Sequence, residues 1–209
     1  MTYSTSTPNS DFWDFDFVQP QPKQDTDLLK QLDFVPGLKE ILMLRQVHAL
    51  EHATVWVLGE RFGLSRTGSA TTDKDTLGGL STDQGFYLYG EINLPDLRRA
   101  VPLALRRITR GEWDLAVHPR CGTNLSVNMF LTAGLALGAH LVMPPGPVEQ
   151  VLGLGLAAAA ASQLTPELGS LAQKYLTTAI PFNLAVEGIT ATSDIWGNPA
   201  HFVRVRWKE

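Results

Sequence analysis

The amino-acid sequence predicts an α+β fold with a buried metal-carrying helix, a small, mostly antiparallel sheet and an inserted hydrophobic hairpin that we expect to be transmembrane. Three observations predict it. Residues 38–62 favour a helix that is apolar nearly all round, several short stretches alternate polar and apolar residues, and two long apolar runs, 125–143 and 148–164, contain one charged residue, Glu149. Helices without a polar face are buried, alternation is typical of strands, and long uncharged runs are typical of membrane helices.

Length and composition restrict the classes of protein. A chain of 209 residues with 44% hydrophobic residues is long enough for one domain with appendages and a real core. The net charge of -4 argues against nucleic acid as a partner, because phosphate binding needs concentrated Lys and Arg. The single cysteine excludes an intrachain disulfide.

The sequence divides into four parts. Residues 1–36 are acidic and rich in Ser, Pro and Gln, which predicts a disordered tail, and the aromatic-acidic stretch DFWDFDF within it could bind a protein partner. Residues 37–124 form the soluble α+β part with the candidate site, 125–164 the hydrophobic hairpin, and 165–209 a C-terminal helix and strands that complete the soluble part.

The elements follow in order. Pro36-Gly37 and Gly63 delimit the first long helix, residues 65–83 favour a loop, and GFYLYGEI alternates as a strand does. Residues 95–110 favour a second, basic helix, and DLAVHP a short strand. After the hairpin we expect a short helix through ELGSLAQKYL and a terminal pair of strands, FNLAVEGIT and HFVRVRW.

The two apolar runs are expected to cross a membrane and contact its lipid. The first, at roughly 1.5 Å per residue, spans nearly 30 Å, and the second is marginal. A buried soluble hairpin is the alternative, which Asn128, His140 and Ser162 make credible. If the runs span, the arginines before them and Lys174 after them lie on one side. The protein is then an integral membrane protein with the soluble part and both termini in the cytoplasm.

Two motifs predict a metal site. His48 and His52 are four residues apart and therefore share one face of a helix, with Glu51 at its edge. His118 and Cys121 follow later in the tight HPRCGTN loop. Imidazole and thiolate are the ligands zinc prefers, so we expect His48, His52, His118 and Cys121 to bind Zn²⁺ and Glu51 to act as a general base.

Two alternatives remain open. The histidines could be core residues hydrogen-bonded to Glu51, with Cys121 a small buried hydrophobe. Cys121 could instead be a nucleophile activated by His118 or His48, although RCGT has no specific cysteine-hydrolase context. The pitrilysin-type peptidases share the H-x-x-E-H order but are excluded, because the region where their third ligand falls, LSVNMF, contains no carboxylate.

HALEH together with HPRCGTN resembles an uncharacterised family of bacterial membrane proteins described as predicted metal-dependent enzymes. From about Leu38 to the C-terminus, including GSLAQKYLTT, the chain is also similar to an uncharacterised membrane-protein family of photosynthetic bacteria. The resemblance implies a metal centre at His48, Glu51, His52, His118 and Cys121 but no substrate. Asn124 stands where the first family has a hydroxyl residue.

Two functions are therefore expected. The first is a membrane-associated metal-dependent hydrolase or peptidase in which three of the four predicted ligands bind zinc, a coordination position is left for water, and Glu51 is the catalytic base. The second is a non-enzymatic membrane assembly or scaffold protein in which all four ligands close a structural metal site.

Overall fold

The computed structural model describes residues 19–62, 77–90, 92–194 and 196–208. Within these residues the fold is α+β, with five α-helices and four strands in one antiparallel sheet. The helices are α1 (Gln24–Gln31), α2 (Leu38–Phe62), α3 (Leu94–Ile108), α4 (Gly122–Val142) and α5 (Pro147–Ala172). The strands are β1 (Gly78–Thr82), β2 (Gly85–Tyr89), β3 (Leu184–Ser193) and β4 (Pro199–Trp207).

The core lies between the sheet and helices α2 and α3. Strand order is β1-β2-β4-β3, and every neighbouring pair is antiparallel. Alternation sends every second side chain of a strand to one face, and Phe86, Leu88 and Val203 on that face are fully buried. Leu50 of α2 and Leu97 of α3 belong to the same cluster of buried residues. The predicted helices 38–62 and 95–110 and the terminal strand pair are confirmed. The predicted GFYLYGEI strand is confirmed over Gly85–Tyr89, and Glu91 lies outside the described residues.

Three sequence-based expectations differ from the structure. DLAVHP was predicted as a strand, but Trp113–Ala116 forms a 3-10 turn. The predicted loop 65–83 ends in a strand, β1, whose pairing with β2 outweighs the weak strand propensity of GGLST. Part of the predicted disordered tail, Gln24–Gln31, is helical, while residues 1–18, including DFWDFDF, lie outside the described residues.

Helices α4 and α5 form the hairpin, and each packs mainly on the other. Among the described residues, α4 is the one helix that is long and apolar enough to cross a membrane by length and composition. Helix α5 runs eight residues beyond the predicted apolar segment, so the expected separate helix at ELGSLAQKYL is its continuation, followed by a π-helical turn at Gln173–Thr177. Cys121, at the N-cap of α4, connects the hairpin to the body.

The seam of the hairpin consists of small and polar side chains. The residues of α5 that are buried are four small ones, Gly153, Ala157, Ala161 and Gly169. Across the seam, the Asn128 amide donates to Thr165 Oγ1 at 2.9 Å. The other faces expose large apolar residues, of which Phe130 is 80% exposed. Small residues at the contact and apolar residues outside are typical of helix pairs in lipid.

Candidate metal centre

Helix α2 presents the HALEH side chains to the loop before α4. One ligand atom each from His48, His52 and Cys121 lies within 4.8 Å of the others, so these three residues form a cluster that could hold a metal ion. His52 and Cys121 are buried and His48 is half-buried. The structure thus brings together residues that are about 70 positions apart in the chain.

Hydrogen bonds orient both imidazoles of the cluster. His48 Nδ1 lies 3.0 Å from the carbonyl oxygen of Thr177, and His52 Nδ1 lies 2.6 Å from that of Ala116. A carbonyl oxygen can only accept, so each Nδ1 carries the proton and donates it. In the neutral form of each ring Nε2 is then unprotonated, and this is the form that binds a metal.

Cys121 lies against these Nε2 atoms. Its Sγ is 3.2 Å from His48 Nε2, and it accepts from the backbone N–H of Thr123 at 3.4 Å. Burial raises the pKa of the Cys121 thiol, but the hydrogen bond and charge of the protonated form of His52, aided by Thr123, outweigh it and leave the pKa lowered. A lowered thiol pKa favours the thiolate, which is the soft ligand that zinc and related metals select.

Glu51 borders the cluster as a buried acid. Its side chain is 7% exposed and accepts a hydrogen bond from Ser81 Oγ on β1. Burial raises its pKa, and this exceeds the opposing effects of Ser81 and of the nearby His48. A buried carboxylate with a raised pKa is a stronger base than an exposed one, which suits it to accept a proton.

His118 lies beside the cluster rather than within it. Its ring centroid is 5.7 Å from that of His52, and Trp56 packs edge-on against it. Its Nδ1 accepts the backbone N–H of Arg120 at 3.3 Å, so in the neutral ring the proton is on Nε2. Burial, together with the charges of His52 and Arg120, lowers its pKa to about 4, which keeps His118 neutral at physiological pH. A ligand role for His118 stays a prediction.

The five predicted residues line one cavity of about 520 Å³. This volume is within the usual range of about 300–1,000 Å³ for small-molecule sites. Its lining also includes an apolar group of residues that the sequence did not single out: Ile41, Leu44, Val55, Leu77, Leu80 and Leu176.

A hydrogen-bonded clasp fixes the cavity to the base of the hairpin. Gln173, which is fully buried, accepts from the backbone N–H of His118 and donates to Asn124 Oδ1, both at 2.8 Å. Asn124 in turn donates to the carbonyl oxygen of Pro119 at 2.7 Å. Asn124, the departure from the resembled family, therefore has a defined structural role. No local sequence pattern pointed to Gln173 or Ser81.

This architecture defines a class of protein: an α+β domain with a His-His-Cys cluster at the base of an apolar helical hairpin. The chain belongs to the family described as a domain of unknown function, DUF6391, whose family model matches residues 43–189. It is 53% identical over 203 residues to an uncharacterized protein of Picosynechococcus sp. (strain PCC 7002), covering 97% of this chain and 98% of that protein. No solved structure matches the chain.

Proposed function

We propose that this protein is a membrane-anchored, metal-dependent hydrolase that cleaves peptide bonds. The observation that carries the proposal is the three-residue cluster of His48, His52 and Cys121, which faces a cavity shared with a buried glutamate. Catalytic zinc sites typically have three protein ligands and one open position, whereas structural sites have four protein ligands. The described cluster contains three.

The residues of the cluster fit zinc by their donor chemistry. Two imidazole nitrogens and one sulfur are donors of the kind found in catalytic zinc sites, and the Nδ1–H hydrogen bonds to Thr177 and Ala116 hold the rings in the ligating tautomer. A zinc ion held by these residues would supply Lewis acidity and would lower the pKa of a water bound to it.

In this proposal Glu51 carries out the two proton transfers of peptide-bond hydrolysis. Hydrolysis requires that a water lose a proton as its oxygen bonds to the carbonyl carbon, and that the departing nitrogen gain a proton as the C–N bond breaks. Glu51 lines the same cavity as the cluster, and its raised pKa allows it to accept the first proton and deliver it to the nitrogen. Ser81 holds the carboxyl in place through its hydrogen bond. Neutral His118, with its proton on Nε2, is a further donor at the cavity wall.

The membrane assignment is supported by the hairpin. Helix α4 has 21 residues, which at about 1.5 Å per residue is roughly 30 Å, the thickness of a hydrocarbon core. Its outer face is apolar and exposed, and a soluble monomer rarely leaves so large an apolar surface uncovered. Arg120 precedes α4 and Lys174 follows α5, so the positive-inside rule assigns the body, the candidate site and both termini to the cytoplasm.

The test measures metal and turnover separately. Purified protein in lipid nanodiscs should contain about one zinc per chain by mass spectrometry, and His52→Ala should lose it. His140→Ala is the matched control, because His140 lies on the hairpin and hydrogen-bonds to Gln150. Glu51→Gln should keep the metal and lose cleavage of quenched-fluorescent peptides. Loss of zinc from Glu51→Gln, or full cleavage by it, would contradict the role of Glu51 as base.

One observation favours a second candidate, a structural metal in a scaffold protein. The cluster connects α2 to the N-cap of α4 and, through Thr177, to the π-helical turn that follows α5, so an ion there would fasten three elements. In that case Cys121→Ser should abolish folding. A folded Cys121→Ser protein that binds zinc less tightly favours the hydrolase.

A further inference from the structure

Strand β1 borders the candidate site and is an edge strand of the sheet that the described residues form. The sheet order places β1 at one end, and among the described strands it pairs with β2 alone. The outer edge of such a strand presents main-chain N–H and C=O groups that no other described strand pairs. Successive side chains of a strand point to opposite faces, yet five consecutive residues, 77–81, all line the cavity. The main chain of β1 itself therefore forms part of the cavity wall.

Strand β1 lies in close contact with the carboxyl group of Glu51. A Cβ atom at Gly79 would fall 1.9 Å from Glu51 Oε1, so only glycine lets the strand come this close to the carboxyl group. Ser81, two residues on, hydrogen-bonds to the same carboxyl group. A chain paired to β1 would place its main chain beside Glu51.

The rim of the cavity consists of apolar side chains, whereas the edge of β1 presents polar main-chain groups. Leu80 of β1 is 40% exposed, Leu176 of the π-turn is 71% exposed, and Ile41 and Leu44 of α2 are exposed as well. An apolar ring around a row of main-chain donors and acceptors matches an extended peptide with apolar side chains. A lipid chain would cover the apolar ring but leave the main-chain groups of β1 without partners.

We propose that β1 is the substrate-docking edge, on which an extended apolar peptide segment pairs as a fifth strand with a scissile carbonyl beside Glu51. This inference rests on the proposed hydrolase function, since it names the substrate class of that site. Main-chain pairing supplies affinity without sequence preference, and the rim of Ile41, Leu44, Leu80 and Leu176 selects apolar side chains.

The experiment measures binding rather than turnover. Zinc-loaded Glu51→Gln protein in nanodiscs is incubated with a synthetic library of hexapeptides that have apolar residues at every randomised position, and retained peptides are identified by mass spectrometry.

Each retained peptide is then made in two variants, called twins, one N-methylated at the odd residues and the other at the even residues. In a paired strand every second amide faces the partner, so one twin should bind at least about tenfold more weakly and the other should bind nearly as well as the parent. Bound parent peptide should slow amide exchange of residues 78–82.

Two protein variants are matched for the test. Leu80→Glu introduces a charge at the rim of β1 and should weaken binding at least about tenfold. Thr192→Glu introduces the same charge at an exposed position on β3, the opposite edge strand, and should leave binding unchanged. Zinc content is measured for each, so that loss of the metal is distinguished from loss of docking.

Failure of peptide docking on β1 and failure of the proposed hydrolase function give different results. Equal binding of both N-methylated twins, binding without protection of residues 78–82, or no retained peptide on zinc-loaded protein would overturn docking on β1. Retained peptides that protect β1 but are never cleaved by the wild-type protein would support docking and contradict the hydrolase.

Discussion

At the scale of single residues, the site depends on a carboxyl group that the fold buries at a cost. Glu51 is nearly inaccessible, and its Ser81 hydrogen bond only partly offsets the loss of water around the ionised form. Because the pKa of Glu51 is raised, the effect of this residue on stability should depend on pH.

Glu51→Gln should stabilise the metal-free protein at neutral pH. Because the folded-state pKa of Glu51 is raised above its ordinary value of 4.5, the folded protein holds the proton more tightly than the unfolded chain. The cost of ionising Glu51 is thus absent below about pH 4.5, grows as the pH rises and is complete above the folded-state pKa. Thermal unfolding of chelator-treated protein should give equal midpoints for both proteins at about pH 4 and a higher midpoint for the variant at about pH 8. Glu187→Gln, at an exposed position on β3, is the control, and a lower midpoint for Glu51→Gln at about pH 8 would contradict the sign.

Gly79→Ala should reduce turnover without removing the metal. The new Cβ would displace the Glu51 carboxyl, and misplacement of a catalytic group by about 1 Å can cost about a hundredfold in rate. Gly78→Ala is the matched control, because the nearest atom to its Cβ would be Tyr89 Cδ2 at an ordinary 3.7 Å. Peptide cleavage and zinc content should be measured side by side, and equal rates for both variants would contradict the positioning of Glu51 by β1.

At the scale of elements, the hairpin is held by close approach of α4 and α5. The Cβ of a residue at position 153 would lie 2.6 Å from Met143 Sδ and 3.3 Å from Ala139 Cβ. At position 155 nothing lies within 4 Å. Two glycines on the same helix thus have opposite surroundings.

Gly153→Leu should therefore open the hairpin, and Gly155→Leu should not. Overpacking a close contact typically costs about 1–3 kcal/mol, while both substitutions improve helix propensity equally. Thermal unfolding in nanodiscs, with crosslinking of α4 to α5 as a second measure, distinguishes the two. A larger loss in Gly155→Leu would show that the helices meet along another seam.

At the scale of the whole molecule, the candidate site is adjacent to the hairpin and is therefore expected at the membrane surface. Cys121 supplies a ligand atom to the cluster and also N-caps α4, so one residue couples the site to the first apolar helix. Under the proposed membrane anchoring, the apolar cavity rim would suit substrates that reach the site from the lipid phase.

Topology is testable with single cysteines. Cys121 is 8% exposed and should react slowly, so Pro145→Cys at the hairpin tip and Lys208→Cys near the C-terminus, both exposed, can be compared. A membrane-impermeant maleimide applied to intact cells should label position 145, and position 208 only after lysis. Labelling of both positions before lysis would contradict a spanning hairpin.

Local sequence patterns predicted those elements that depend on local physics. The uninterrupted apolar face of α2 and the alternation in β2, β3 and β4 each follow from residues that are close in sequence. GGLST lacks the β-branched and aromatic residues of a typical strand, so β1 forms because β2 pairs with it rather than from its own propensity. The 3-10 turn at Trp113–Ala116 also makes a long-range contact, since the Ala116 carbonyl oxygen accepts a hydrogen bond from His52.

The sequence by itself determined the α+β class, the apolar hairpin and the identity of the residues that converge on the site, because helical spacing and ligand chemistry are local properties. Tertiary structure alone decided that three predicted ligands cluster while His118 lies beside them, that Gln173 clasps the hairpin to the site, and that β1 brings Ser81 and Gly79 against Glu51. These arrangements join residues 28 to 73 positions apart, and their geometry depends on packing that no single segment encodes.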